Sequence, residues 1–451
     1  MTFAELVALL QEEGIHFVEL RAVDLSGNLR ALTIPVEALT EEMVREGVGV
    51  DGAHYGLAKS EESDWVLLPD LDAVYLDPLS EPPRALILCD LGRPGEGPSP
   101  LAPRTVAAAA ERFLRDSGIA QEARFSVELE FYLFEEIRVT DNILAQGVGI
   151  IPMEGQVDRL GNVLPRRGSA YHAAGAADAG KAVRDKVVEV LTRWGIPVRY
   201  HHHGAGGLGQ MEIELGLGGI KAAADWAVLA KDLVARVAAD QGLVACFLPK
   251  PLYDQPGSGL HLHQLLIGPE GNLFAGEEGL SETGLAYIGG LLAHGRALSA
   301  LVSPSTNSYR RLCSGFEAPV ELSFGPADRT AAVRIPGYLT NSQSLRVEYR
   351  PPDPTCNPYL ALAACLMAGI DGIRQGIDPV ARGWGPGRKR RIQVLPRSLE
   401  EALEALRRDH EFLTVAGVFP EELLELWLAQ KEREVWEVAV RPHPYEFRLY
   451  A

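Results

Sequence analysis

Ser126-Val-Glu-Leu-Glu-Phe-Tyr-Leu-Phe134 alternates between the two sides of an extended chain. Val127, Leu129, Phe131 and Leu133 fall on one side and Glu128 and Glu130 on the other, the period of two that a strand imposes. At about 3.3 Å of rise per residue, the two carboxylates stand roughly 6.5 Å apart on one face. Three further stretches repeat the pattern. Met211-Glu-Ile-Glu-Leu215 pairs Glu212 with Glu214, and Gly259-Leu-His-Leu-His-Gln264 sets His261 and His263 opposite Leu260 and Leu262. Leu345-Arg-Val-Glu-Tyr-Arg350 puts Arg346, Glu348 and Arg350 on one side. A single strand of this kind reads as the wet side of an amphipathic sheet. Four of them, each set in apolar sequence, read as walls of one cavity lined by carboxylates, imidazoles and guanidinium groups.

That donor set suits hard divalent ions such as Mg²⁺ or Mn²⁺ and makes a poor structural zinc site, having no thiolates and few histidines. The separation of Glu128 and Glu130 favours two ions over one. Arginines facing the same cavity imply an anionic ligand bridging to those ions, and nucleotide phosphates fit.

Outward from these strands, Thr2 with Glu5 forms a capping-box pattern that predicts a helix over residues 2–13. Strands are expected at 16–23 and 29–35 around the turn Ser26-Gly27-Asn28. The Pro- and Gly-dense stretch 91–103 divides the chain into a small N-terminal domain, 1–98, and a large one, 99–451. Helices are predicted over 104–117, 178–194, 220–241 and 420–437, with another opening at Ser398 and Glu401. The run Arg388-Lys-Arg-Arg391 reads as a solvated loop.

The chain has 451 residues, 47% hydrophobic and 23% charged, which excludes a disordered polymer and supplies a large core. Its net charge of −18 argues against general nucleic-acid binding, which needs a surplus of Lys and Arg. Five cysteines with no CxxC pair suit a reducing compartment. The N-terminal stretch lacks the basic start of a signal peptide, and no apolar run reaches the roughly 18 residues of a membrane span. A cytoplasmic protein that binds neither nucleic acid nor membrane is expected.

Two glycine motifs fail their context. Gly204-Ala-Gly-Gly-Leu-Gly209 matches G-x-G-x-x-G, but a polar stretch precedes it and a strand pattern follows it, where a dinucleotide site needs an apolar strand and a helix. Gly175-Ala-Ala-Asp-Ala-Gly-Lys-Ala182 lacks the Ser or Thr of a phosphate-binding loop and reads as a helix N-terminus. Of His201, His202 and His203, at most two can serve one site, because consecutive strand residues face opposite ways.

These segments, with Asp51-Gly52, Pro249-Lys-Pro251, Gly257-Ser-Gly-Leu-His261, Asn307-Ser-Tyr-Arg-Arg-Leu312, Phe316-Glu-Ala-Pro319, Arg334-Ile-Pro336 and Asn357-Pro-Tyr359, resemble the bacterial, first type of glutamine synthetase almost from end to end. The resemblance implies an α+β fold: a small β-grasp domain, then a catalytic domain whose antiparallel sheet forms a partial barrel. It also implies two stacked hexameric rings, a homododecamer with each active site between neighbours. The implied chemistry is ATP-dependent: the γ-carboxylate of glutamate is phosphorylated, then amidated by ammonia or another amine. By position, Glu128, His261 and Glu348 would hold one Mg²⁺ or Mn²⁺ ion, and Glu130 and Glu212 the other. Arg329, Arg334, Arg346 and His263 resemble groups on the ATP phosphates or the transition state. Arg311 and Arg350, with Gly257, resemble those that bind the amino acid. Glu317 would close the site as a flap and take a proton from the amine. Tyr171, with Asp51 from the adjacent subunit, would hold the ammonium form.

The departures bear on substrate. Gly204 stands where the family has a metal-binding glutamate, Pro256 where an asparagine touches the amino acid, and Ala53, beside His54, where a serine lines the ammonium pocket. Leu265 replaces a serine near the base, and residues 384–391 lack the tyrosine of adenylylation, so that regulation is not expected. Three readings follow: a glutamate–amine ligase using an amine other than ammonia, an ordinary glutamine synthetase, and a ring-forming binding or regulatory protein. The retained metal positions and Glu317 favour an enzyme.

Overall fold

The computed structural model describes residues 1–157, 163–164, 170–277, 279–339, 341–386 and 392–451. The Arg388–Arg391 run lies outside the described residues.

Helix Phe3–Glu12 opens on the capping box, Thr2 and Glu5 each satisfying the other's backbone N–H. Five strands follow: β1 (Phe17–Val23), β2 (Leu29–Pro35), β3 (Val48–Asp51), β4 (Asp64–Asp77) and β5 (Arg84–Arg93). They lie in the order β2-β1-β5-β4-β3, with β1 and β5 parallel at the centre and the other pairs antiparallel, the β-grasp arrangement. The β1–β2 turn presses onto the large domain. Gly27 has φ +90°, and a Cβ there would stand 3.0 Å from the Asn357 Cα, so both conformation and closeness demand glycine. The buried Asn357 amide donates to the Asp24 and Leu25 carbonyls at 3.1 and 3.2 Å.

Half of the expected linker belongs to this sheet. Residues 91–93 end β5, and Gly97–Pro98 turns back to pair with it. Gly95 and Gly97, at φ +76° and +78°, make that return a tight turn. Pro and Gly mark such a turn as strongly as they mark a linker.

The large domain is built on a half-barrel sheet: β6 (Glu122–Asn142), β7 (Ala145–Pro152), β8 (Val198–His203), β9 (Gln210–Leu215), β10 (Val244–Cys246), β11 (Leu260–Gly268), β12 (Glu321–Pro326), β13 (Ala331–Ile335) and β14 (Val347–Tyr349). The order is β8-β9-β6-β11-β14-β13-β12, with β7 and β10 also on β6; only β12–β13 is parallel. Val127, Leu129, Phe131 and Leu133 are buried with the apolar side of helix Ile220–Asp240. Helices Pro103–Asp116 and Pro358–Gln375 complete that core, leaving the acidic face of β6 to line the barrel. The predicted helices occur within a few residues of expectation, at Pro103–Asp116, Lys181–Arg193, Ile220–Asp240, Leu399–Arg408 and Glu421–Ala439. β6 runs further than its apolar pattern. Its last third pairs with β7 as an exposed hairpin ending in Ile143 and Leu144, both more than 90% exposed.

Candidate active site

Strand register sets the site. Residues directly opposite on adjacent strands share a face about 4.5–5.5 Å apart. Three rows cross the sheet. Glu214, Glu128 and His261 are opposite one another on β9, β6 and β11. His202, Glu212 and Glu130 form the second row on β8, β9 and β6. His263, Glu348 and Arg334 form the third on β11, β14 and β13. Thus the four stretches with charged faces meet.

Donor atoms of Glu128, His261 and Glu348 lie within 4.8 Å of one another, and so do those of Glu128, Glu130 and Glu212. Glu128 is common to both groups. His261 Nδ1 is 2.6 Å from one Glu128 oxygen and 3.8 Å from Glu348. His263 Nε2 is 3.4 Å from the other Glu128 oxygen. Arg334 and Arg350 both hydrogen-bond the fully buried Glu348.

These neighbours drive the carboxyls apart. Burial and the adjacent Glu128 and Glu130 push Glu212 well above the usual carboxylate range. Burial acts the same way on Glu128, but His261 and His263 outweigh it and hold the group well below that range. Glu348, buried too, is held at about 2, chiefly by Arg350. One corner is therefore balanced, and at the Glu130–Glu212 corner the carboxyls crowd one another until Glu212 favours its proton.

A cavity of about 460 Å³ opens over this floor. Glu128, Glu130, Glu212 and His261 line it, with Tyr171, Gly257, Arg311, Arg329, Arg334 and Arg350 on the walls and Phe316, Glu317 and Ala318 at the rim. Arg311 is buried and donates to the carbonyls of Pro351 and Arg350 at 2.8 and 2.9 Å. Phe316 and Glu317 have φ +53° and +59°, consecutive left-handed non-glycine residues costing about 1 kcal/mol each. The Glu317 carboxylate is 3.9 Å from Arg329.

Four residues singled out from sequence lie off the cavity wall: Glu348, fully buried beneath it, and His263, Arg346 and Asp51. His263 and Arg346 are buried behind it, both facing Glu214, at 3.8 and 3.5 Å. Asp51 lies in the small domain, where it accepts from the Ala53 N–H at 2.9 Å and faces His54 at 3.6 Å. Pro256 lines the cavity, its carbonyl fixed by the Tyr132 hydroxyl at 2.7 Å.

Sequence reasoning gave Glu214 a face but no role. It is wholly buried, 2.8 Å from Arg199, and its signal was the alternation with Glu212. Arg199 itself was missed; it stacks between Tyr200 and Tyr338 at 4.9 and 5.4 Å. Gly204 is enclosed: a Cβ there would lie 2.8 Å from the Gln210 side chain, whose amide is fixed by Gly206 N–H and the Gly257 carbonyl.

Comparison with known proteins identifies the family and the fold. Residues 14–94 match the family model of the glutamine synthetase β-grasp domain, and residues 100–450 that of the glutamine synthetase catalytic domain. A glutamine synthetase of Aquifex aeolicus (strain VF5) is 39% identical over 99% of this chain and 98% of its own. A 3-hydroxylaminophenol mutase of Cupriavidus pinatubonensis is 36% identical over the same shares. The structure of a Plasmodium falciparum glutamine synthetase superposes with TM-score 0.90 over 100% of this chain and 99% of that one, at 23% identity, showing the shared fold.

Proposed function

The chain belongs to the glutamine synthetase family, and from that premise we propose that it is an ATP-dependent carboxylate–amine ligase. It phosphorylates the γ-carboxylate of glutamate, or a related acid, and lets ammonia or another amine displace the phosphate. The energetic need is plain, since a free carboxylate is a poor acyl donor at neutral pH. The observation that carries the proposal is the surplus of carboxylate at Glu128, Glu130 and Glu212 beside a wall of arginines.

The donor set fits two hard cations, because a divalent charge relieves the like-charge repulsion around Glu212. Glu128, His261 and Glu348 would hold one ion, and Glu130 and Glu212 the other. Mg²⁺ or Mn²⁺ bound there would lend positive charge to the phosphoryl group in transfer. Arg329 and Arg334 meet the ATP phosphates, with His263 and Arg346 acting from behind the wall. Arg311 and Arg350, with the Gly257 backbone, seat the amino acid. Glu317, on the strained rim segment, closes over the site and accepts the amine's proton; Tyr171 and a neighbouring subunit's Asp51 hold its ammonium form. Relatives at this level of similarity carry different names, one 36% identical being a 3-hydroxylaminophenol mutase, so the amine panel below is broad.

The proposed assembly into two stacked hexameric rings would cover apolar surface that the single chain exposes: the hairpin tip at Ile143 and Leu144, and helix Pro444–Tyr450 with Tyr445, Phe447, Leu449 and Tyr450. None of the five cysteines is paired, which supports a cytoplasmic setting.

The test is phosphate release from ATP with Mg²⁺ or Mn²⁺, glutamate, and either ammonia or a panel of primary amines. Release that depends on both glutamate and an amine supports the proposal, and the amine that works best names the reaction. No release with any pairing from folded protein rejects it and favours a ring-forming binding or regulatory role.

A further inference from the structure

We infer that His202 is the third protein ligand of the second cation site, completing Glu130 and Glu212 in place of the carboxylate that Gly204 lacks. The inference rests on the ligase reading, in which that corner takes a divalent ion.

Register sets the three in one row, since His202 is opposite Glu212 and Glu212 is opposite Glu130. His202 Nε2 stands 3.3 Å from a Glu212 carboxylate oxygen. The other ring nitrogen, Nδ1, is 3.0 Å from the His203 carbonyl. A carbonyl can only accept, so Nδ1 carries the hydrogen and the Nε2 lone pair is available on the side of the carboxylates. That is the arrangement by which a backbone carbonyl orients an imidazole toward a metal. The ring is also held in place: Tyr171 meets it edge-on at 5.0 Å, His172 at 4.3 Å, and Tyr200 lies at 5.7 Å. The residue-204 position itself is closed to a side chain by Gln210. Replacing a carboxylate by an imidazole removes one negative charge and shifts preference from Mg²⁺ toward Mn²⁺ and other borderline ions.

Counting Mn²⁺ per subunit on the intact protein, by equilibrium dialysis with the free ion read by electron paramagnetic resonance, tests this. Wild type is expected to bind two ions, and His202→Ala to retain one while the second weakens at least about tenfold. His202→Asp, which restores a carboxylate, is expected to regain the second ion. His261→Ala should weaken the other ion instead. Two ions bound by His202→Ala as tightly as by wild type would overturn the inference, as would a single ion in wild type. No ion in wild type would reject the ligase reading beneath it.

Discussion

Two regions of this molecule bury charges from distant parts of the chain, and they do opposite things with them. At the domain junction Arg104 donates to both oxygens of Asp225 at 2.9 Å, to Asp90 at 2.9 Å and to Asp70 at 2.7 Å. Lys221 covers Asp70 at 3.0 Å, and the Tyr359 hydroxyl covers Asp225 at 2.6 Å. Burial would raise Asp70, yet Arg104 outweighs it and holds the carboxyl at about 2. The network is closed, and it fastens β4 and β5 to the helices of the large domain. In the cavity the Glu130–Glu212 corner is open, and Glu212 is driven up for want of compensating charge. Charges closed on one another fix shape; carboxyls crowded together at a cavity mark where a ligand belongs.

The comparison can be broken first at the junction. Arg104→Ala leaves three aspartates without their shared cation and is expected to cost about 3–5 kcal/mol in urea unfolding. Mn²⁺ bound per folded subunit should be unchanged. A loss under about 1 kcal/mol would place the clamp among ordinary surface pairs.

A second closed network supplies a pH test. His294 hydrogen-bonds Asp371 and Asp409 at 2.9 Å each and stacks on Phe412 at 4.0 Å. Burial alone would lower its pKa; the two aspartates outweigh burial and raise it to about 9. The folded value lies above the ordinary value of about 6.5, so the stabilisation is full below that pH and is lost as pH rises through about 9. It is on the order of 3 kcal/mol. Unfolding free energy should fall by that order between those limits, and His294→Gln should flatten the fall. An equally steep fall in the variant would show that other groups cause it.

The smallest expected change in stability comes from the open corner. Glu212→Gln removes one of the crowded carboxylates, so the cation-free protein should be unchanged or more stable by about 1 kcal/mol, while glutamate-dependent phosphate release is lost. A destabilisation like that of Arg104→Ala would mean that the corner is structural.

What the sequence made legible follows the range of the forces involved. Which residues share a strand face is a local property, so Glu128 with Glu130, His261 with His263, and Glu348 with Arg350 could be read directly. Cross-strand register is not local: that Glu128 sits opposite Glu214 and His261 depends on three strands meeting. For that reason Glu214 and His202 carried no assigned role. Arg104 was legible only as the start of a helix, because its partners lie 14, 34 and 121 residues away. The outer hairpin of β6 was missed because residues 135–142 offer only Ile137 and Val139 as apolar residues, too short an alternation to read; pairing with β7 makes them a strand.

The central claim is that acidic side chains from separate strands grip divalent cations in one hollow. Anomalous scattering from crystals of the protein grown with Mn²⁺ tests it most directly. The account expects two peaks flanking Glu128, one bounded by His261 and Glu348 and the other by Glu130 and Glu212. Manganese found only on the outer surface, with neither position filled, would contradict it.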